Sequence, residues 1–135
     1  MTHPPRIRVR DVMTKQPFEI EGMATLSDAY QIMRQRNISA LVVTRRDEAD
    51  EYGLLLVSDI AQMIIGKGRP SPRTNVYEAM QKPAPAIDAD MDIRYAIRLL
   101  TRFGLSHAIV VKERELEGII TLRDLTMRYI EAAAS

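Results

Sequence analysis

The sequence predicts a mixed α/β fold of the α+β kind, built from two pseudo-symmetric β-α-β-β-α units packed sheet to sheet. Three observations carry this expectation. Residues 9–43 lie over residues 76–110 without a gap, so that Val9 falls on Val76, Met13 on Met80, Lys15 on Lys82, Ile20 on Ile87, Ala29 on Ala96 and Ser39 on Ser106. A two-residue difference in one turn then brings residues 53–60 over residues 118–125. Apolar positions track through both copies, as a repeated supersecondary unit requires. A unit this small leaves an apolar face in water unless a second copy covers it, so duplication has a physical reason. Two related clefts are expected where the copies meet. The copies are placed at residues 1–66 and 76–135, with residues 67–75 as linker.

The elements follow in order. A short helical turn opens each copy (residues 11–13 and 78–80), followed by an extended segment (18–21 and 85–88). In copy one, Thr25 with Asp28 three residues later is an N-cap pattern, and Leu26, Ala29, Tyr30, Ile32 and Met33 make an apolar helical stripe. In copy two, Asp92 caps a helix whose stripe is Ile93, Ala96, Ile97, Leu100 and Phe103. Asn37 and Gly104 stand where a left-handed residue ends each helix. Two apolar runs joined by a charged turn then read as a hairpin: 40–44 with 52–57, and 108–111 with 116–120. A second helix closes each copy, over residues 58–65 and 122–133, and the first of these stops at Gly66. Residues 66–75 hold two Gly, two Pro and three basic residues, which marks a linker.

Composition excludes several function classes. The 135 residues are 46% apolar and 27% charged, and carry a formal net charge of +1. Such a balance gives no field to draw in nucleic acid or an anionic membrane. Two Phe, five Tyr and no Trp leave no stacking platform for single strands. The absence of cysteine excludes disulfides, thiolate metal sites and Cys nucleophiles. No apolar stretch reaches signal-peptide or membrane-spanning length, and a cytoplasmic location is expected. The chain has no P-loop, GxSxG, HExxH, SxxK or GxGxxG pattern, and its two histidines, His3 and His107, belong to no evident triad. Catalysis is not expected. The acidic run at residues 45–51 lacks the spacing of a calcium loop and reads as a solvated turn.

Short motifs recur in order. VRDVMT opens at residue 9, NISALVV at 37, GLSHAIVV at 104 and GIITLRD at 118. With these, over roughly residues 8–132, the chain resembles a tandem pair of CBS domains, the Bateman module. The resemblance implies regulatory binding of an adenosine-containing ligand (AMP, ADP, ATP, S-adenosylmethionine or an NAD-type molecule) in a cleft between the paired motifs. It also implies a homodimer formed through helices and, since family members usually gate an attached protein, an unidentified target protein. No cofactor beyond an adenine nucleotide as regulatory ligand is expected.

Thr121 and Asp124 are the sharpest candidates. They stand where a strand gives way to a helix. A hydroxyl and the free N–H groups of a helix start suit a phosphate, and a carboxylate one turn on can accept both hydroxyls of a ribose. Thr-x-x-Asp is also a plain capping pattern that needs no ligand, and the two roles can coexist. The repeat and the resemblance favour a site, in which these become the phosphate and ribose residues. The resemblance further places the base against Ala84, Ile87, Ser106, His107 and Ala108. Ser106 and Ser39 serve equally well as turn residues. His107 could reach a phosphate, although a lone histidine beside a strand is more often structural. Arg123 reads either as a phosphate contact, the reading favoured, or as a solvated first-turn charge. Lys67, Arg69 and Arg73 could pair with phosphates but read more readily as solvated linker charges.

Copy one departs from this pattern. Leu56 stands opposite Thr121, while Asp59 matches Asp124. Ser58 is a hydroxyl two residues late and reads as the N-cap of its helix. The degenerate site would comprise Asp59, Ser58, Ser39, Ala40 and Ile20. Tyr30, Met33, Met63, Met127 and Tyr129 supply flexible apolar surface for core or dimer face.

Overall fold

The computed structural model describes residues 6–134, so His3 lies outside the described residues. Among the described residues, seven strands and five α-helices divide between two compact units, residues 1–17 with 85–135, and residues 18–84. The units do not coincide with the repeats, because each copy's opening segment is hydrogen-bonded into the strands of the other copy.

In the first unit, β1 (Thr14–Lys15), β7 (Glu115–Thr121), β6 (His107–Lys112) and β5 (Ala86–Asp88) form a sheet in that order. β1 pairs antiparallel with β7, Thr14 opposite Ile119. Val9 N–H donates to Met91 O at 2.8 Å and Ile93 N–H to Ile7 O at 2.9 Å, which fixes Ile7 and Val9 beside the start of α4 (Ile93–Arg102). Asp92 caps α4 by accepting from Arg94 N–H at 2.9 Å, and Gly104 follows the helix at φ 64°. The β6–β7 hairpin turns on Glu113 and Arg114, both at positive φ, the two-residue geometry that matches strand twist. Ile87, Ile93, Ala96, Leu100, Ala108, Val110 and Leu125 build the core beneath α4 and α5 (Leu122–Ala134).

The second unit holds β2 (Glu19–Ile20), β3 (Ala40–Val43) and β4 (Gly53–Leu56), with β2–β3 parallel and β3–β4 antiparallel. The segment from copy two repeats the pattern of the first unit. Leu54 and Gln81 exchange backbone hydrogen bonds at 2.9 Å, and Leu26 N–H donates to Thr74 O at 2.9 Å. The expected linker is thus partly structural. Thr74 is fully buried, its hydroxyl donating to Pro70 O at 2.8 Å, and α3 (Val76–Ala79) follows at once.

α1 (Leu26–Arg36) starts and stops on the residues that predict it. Thr25 Oγ1 accepts from Asp28 N–H at 3.1 Å, Asp28 accepts from Thr25 N–H at 3.0 Å, and Asn37 ends the helix at φ 53°. Thr25→Ala removes one half of this reciprocal pair and is expected to cost about 1 kcal/mol in urea unfolding. No measurable loss would mean that the packing of Leu26, Ala29 and Met33 alone holds the helix start.

One expectation needs correction. Ser58 is not a cap: α2 (Val57–Ala61) has Leu56 at its N-cap, and the Asp59 carboxylate takes the Leu56 N–H at 2.8 Å. A carboxylate in the first turn outcompetes a hydroxyl already inside the helix. The helix then widens into a π turn over Gln62–Gly66, closed by Lys67 N–H to Gln62 O at 3.1 Å. Of the five residues expected to divide between core and dimer face, Met33 and Met63 are core, and Tyr30, Met127 and Tyr129 are exposed. No helix among the described residues is long and apolar enough to cross a membrane.

Candidate functional site

The end of β7 and the start of α5 bring four predicted residues together. His107 lies opposite Thr121 in the β6–β7 ladder, so strand register alone makes them neighbours. Ser106 precedes His107, and its carbonyl accepts the Leu122 N–H at 2.9 Å, tying the helix start to the strand. Ser106 Oγ lies 2.7 Å from His107 Nδ1. Thr121 Oγ1 accepts from Asp124 N–H at 3.0 Å, so Thr121 caps α5. A hydroxyl accepting one bond keeps its own proton, and Thr121 can still donate to an anion.

The Asp124 carboxylate is the distinctive group. Its side chain is 46% exposed, and its nearest cationic neighbour is the mostly exposed Arg123, at 3.7 Å. Asp124 therefore presents acceptor oxygens beside a hydroxyl donor and the first turn of a 13-residue helix. In chemical terms this favours a polyhydroxylated, anionic ligand: oxygens for vicinal hydroxyls, a donor and a positive helix end for a phosphate.

The copy-one junction has the same backbone and different chemistry. Val57 N–H donates to Ser39 O at 3.1 Å, as Leu122 does to Ser106, and Ala40 lies opposite Leu56 as His107 does Thr121. Asp59, however, is committed. One oxygen takes the Leu56 N–H, and Gln81 Nε2 donates to both oxygens at 3.1 and 3.3 Å. Gln81 was not singled out from the sequence. The repeat aligns it with Thr14, whose side chain is shorter by an amide. Ser58 and Ser39 are exposed, and Ile20 is buried in the unit's core.

The residues expected against the base lie in both units. Ile87 and Ala108 are consumed by the core of their unit, Ala108 with no exposed surface. Ala84 belongs to the other unit, its N–H donating to Tyr52 O at 2.8 Å. Among the described residues no cluster of His, Asp and Glu could hold a metal ion.

Burial pushes the His107 imidazole below histidine's usual 6.5, while the Asp124 charge pulls it partly back. A histidine with a lowered pKa in the folded state binds fewer protons than in the unfolded chain. Its contribution to stability is whole above about pH 6.5 and is lost as pH falls from there through the folded value. His107→Gln is expected to flatten that part of the stability curve in urea melts from about pH 7.5 to 5. An unchanged slope in the variant contradicts it.

A family model described as "CBS domain" matches residues 9–66 and again residues 76–131. The CBS domain-containing protein YhcV of Bacillus subtilis is 28% identical over 129 residues, 94% of this chain and 90% of that protein. The chain spans only 43%, 57% and 32% of the length of three other curated relatives. Among solved structures, the hexameric CBS-CP12 protein from bloom-forming cyanobacteria superposes with a TM-score of 0.88 at 28% identity, covering 96% of this chain and 77% of that one. The CBS domain pair of protein MJ0100, in complex with 5′-methylthioadenosine and S-adenosyl-L-methionine, shares the fold. Its TM-score is 0.80 at 21% identity, with 94% of this chain and 98% of that one covered.

Proposed function

This chain belongs to the CBS domain family, and on that premise we propose that it is a regulatory module binding an adenosine-containing nucleotide at the Thr121–Asp124 junction. The observation that carries the reading is the state of the two aligned carboxylates. Asp124 keeps its oxygens open beside a capping hydroxyl, whereas Asp59 spends its own on Leu56 and Gln81. Asp124 would accept the ribose hydroxyls, and Thr121 with the α5 start would meet the phosphate. Arg123 would swing from Asp124 to a phosphate, and the half-buried His107 would offer a ring N–H to the ligand. The 5′-methylthioadenosine and S-adenosyl-L-methionine held by MJ0100 support the ligand class. Signalling would pass from a homodimer to a separate target protein in the cytoplasm.

Calorimetry and thermal shift with AMP, ADP, ATP, S-adenosylmethionine and NADH test this. At least one should raise the melting temperature, because a ligand that binds only the folded state must stabilise it. A protein indifferent to all five at millimolar concentration would favour the second reading, a ligand-free dimerisation scaffold. The saturated Asp59 and the apolar Leu56 support that alternative for copy one.

A further inference from the structure

The two copies differ at a second place, away from both strand–helix junctions. In the unit of residues 1–17 and 85–135, Asp90 accepts hydrogen bonds from Arg10 and Lys112, with Arg8 at 3.5 Å, so an ion cluster sits beside β5 and β6. In the repeat alignment Asp90, Arg10 and Lys112 correspond to Met23, Tyr77 and Arg45. These substitutions remove the carboxylate around which the cluster forms. In the unit of residues 18–84 the same place is a cavity of about 670 Å³, within the size range of small-molecule sites.

Its lining divides into two parts. Tyr77, Met80, Met23 and Val43 give an apolar wall, in which two flexible thioethers can adapt to a guest. At the mouth, Arg46 and Lys82 converge on one oxygen of Asp50, Arg46 Nε at 3.1 Å and Lys82 Nζ at 2.9 Å. Asp50 is held far below the usual carboxylate range, first by Arg46 and then by Lys82. Asp50 takes Arg46 Nε–H and one Lys82 N–H, which leaves further N–H donors on both cations for an acidic group; Asp47 also attracts Arg46, and Glu21 and Arg45, both on the lining, offset each other in formal charge.

We propose that this cavity is a second, independent binding site, for a small organic anion with a flat apolar body. The ring would lie on Tyr77 and the methionines, and its acidic group would join Arg46 and Lys82. Nothing in this assignment depends on the Thr121–Asp124 junction, which shares no residue with it.

The test uses 1-anilinonaphthalene-8-sulfonate and its uncharged counterpart N-phenyl-1-naphthylamine as fluorescent probes on the full chain. The sulfonate is expected to bind saturably at one site per chain, and the neutral probe about tenfold more weakly or worse. Met23→Asp with Tyr77→Arg, both at exposed positions, recreates the Asp90–Arg10 pair and should abolish the signal. Lys82→Gln should weaken sulfonate binding about tenfold and leave the neutral probe unaffected. In the unaltered protein, amide shifts on titration should centre on Gly22, Thr44 and Tyr77, which locates the site even if the double variant folds poorly. Equal binding of both probes, or shifts centred elsewhere, overturns the proposal.

Discussion

Asp124→Ala is expected to lower the affinity for the responsive nucleotide about 100-fold while changing stability by less than about 0.5 kcal/mol. The reasoning rests on what the carboxylate does in the free protein and what it would do with ligand. Without ligand its only described ionic contact is Arg123, at 3.7 Å and largely in solvent, a pair of small worth. With ligand, two ribose hydroxyls would bond to a charged acceptor, at about 1.5–3 kcal/mol for such contacts, and each 1.4 kcal/mol is tenfold in affinity. Asp59→Ala should show the opposite profile. It removes the acceptor of the Leu56 N–H and strands the Gln81 amide, so stability should fall by about 1 kcal/mol and affinity should stay within about twofold. Calorimetry and urea unfolding on both variants separate the two. Loss of affinity in Asp59→Ala, with Asp124→Ala unaffected, would reverse the assignment of the copies.

Gly118→Ala should be among the most damaging single-methyl additions in the chain, at about 3 kcal/mol. A Cβ there would stand 2.5 Å from the Thr14 carbonyl oxygen and 2.9 Å from Met13 Sδ. The carbonyl belongs to β1, paired with β7 opposite this glycine, so relief requires the strands to part. Overpacking of this kind costs about 1–3 kcal/mol, with the upper end where backbone must move. Gly53 is its counterpart, yet its nearest neighbour is Met80 Sδ at 2.9 Å, the adaptable part of a side chain, followed by Val43 Cβ at 3.1 Å. Gly53→Ala should therefore cost less, about 1 kcal/mol. Urea unfolding of the pair gives the comparison, and equal costs would mean that β1 yields as readily as a methionine.

Local signals were legible wherever one residue type satisfies one backbone group. Thr25, Asp28, Asn37, Asp92 and Gly104 mark helix ends in the sequence and mark them in the structure. The exchange of opening segments was not legible. β1 is two residues long, too short for any periodicity, and a repeat identifies copies without saying which strands they pair with. Ser58 misled because a hydroxyl near a helix start resembles a cap, while the acceptor in use was the carboxylate one residue on. At the candidate site, Ser106, His107, Thr121 and Asp124 could be read because strand register and helix start are sequence-local. Ile87 and Ala108 pack in the core of their unit, and apolar residues carry the same sequence signal in a wall and in a packed interior. Gln81 escaped because its partner, Asp59, is reached only through the bridge of Leu54 and Gln81.

On the proposed reading the duplicated junctions have diverged, one left open for a ligand and one closed on itself. A two-dimensional amide NMR titration of the unaltered protein with AMP, or with whichever nucleotide stabilises it, tests this most directly. The expected result is a saturable shift of the Thr121, Arg123 and Asp124 amides and of the His107 ring, with Leu56, Ser58 and Asp59 unmoved. Equal shifts at both junctions, or shifts confined to Leu56, Ser58 and Asp59, would contradict it.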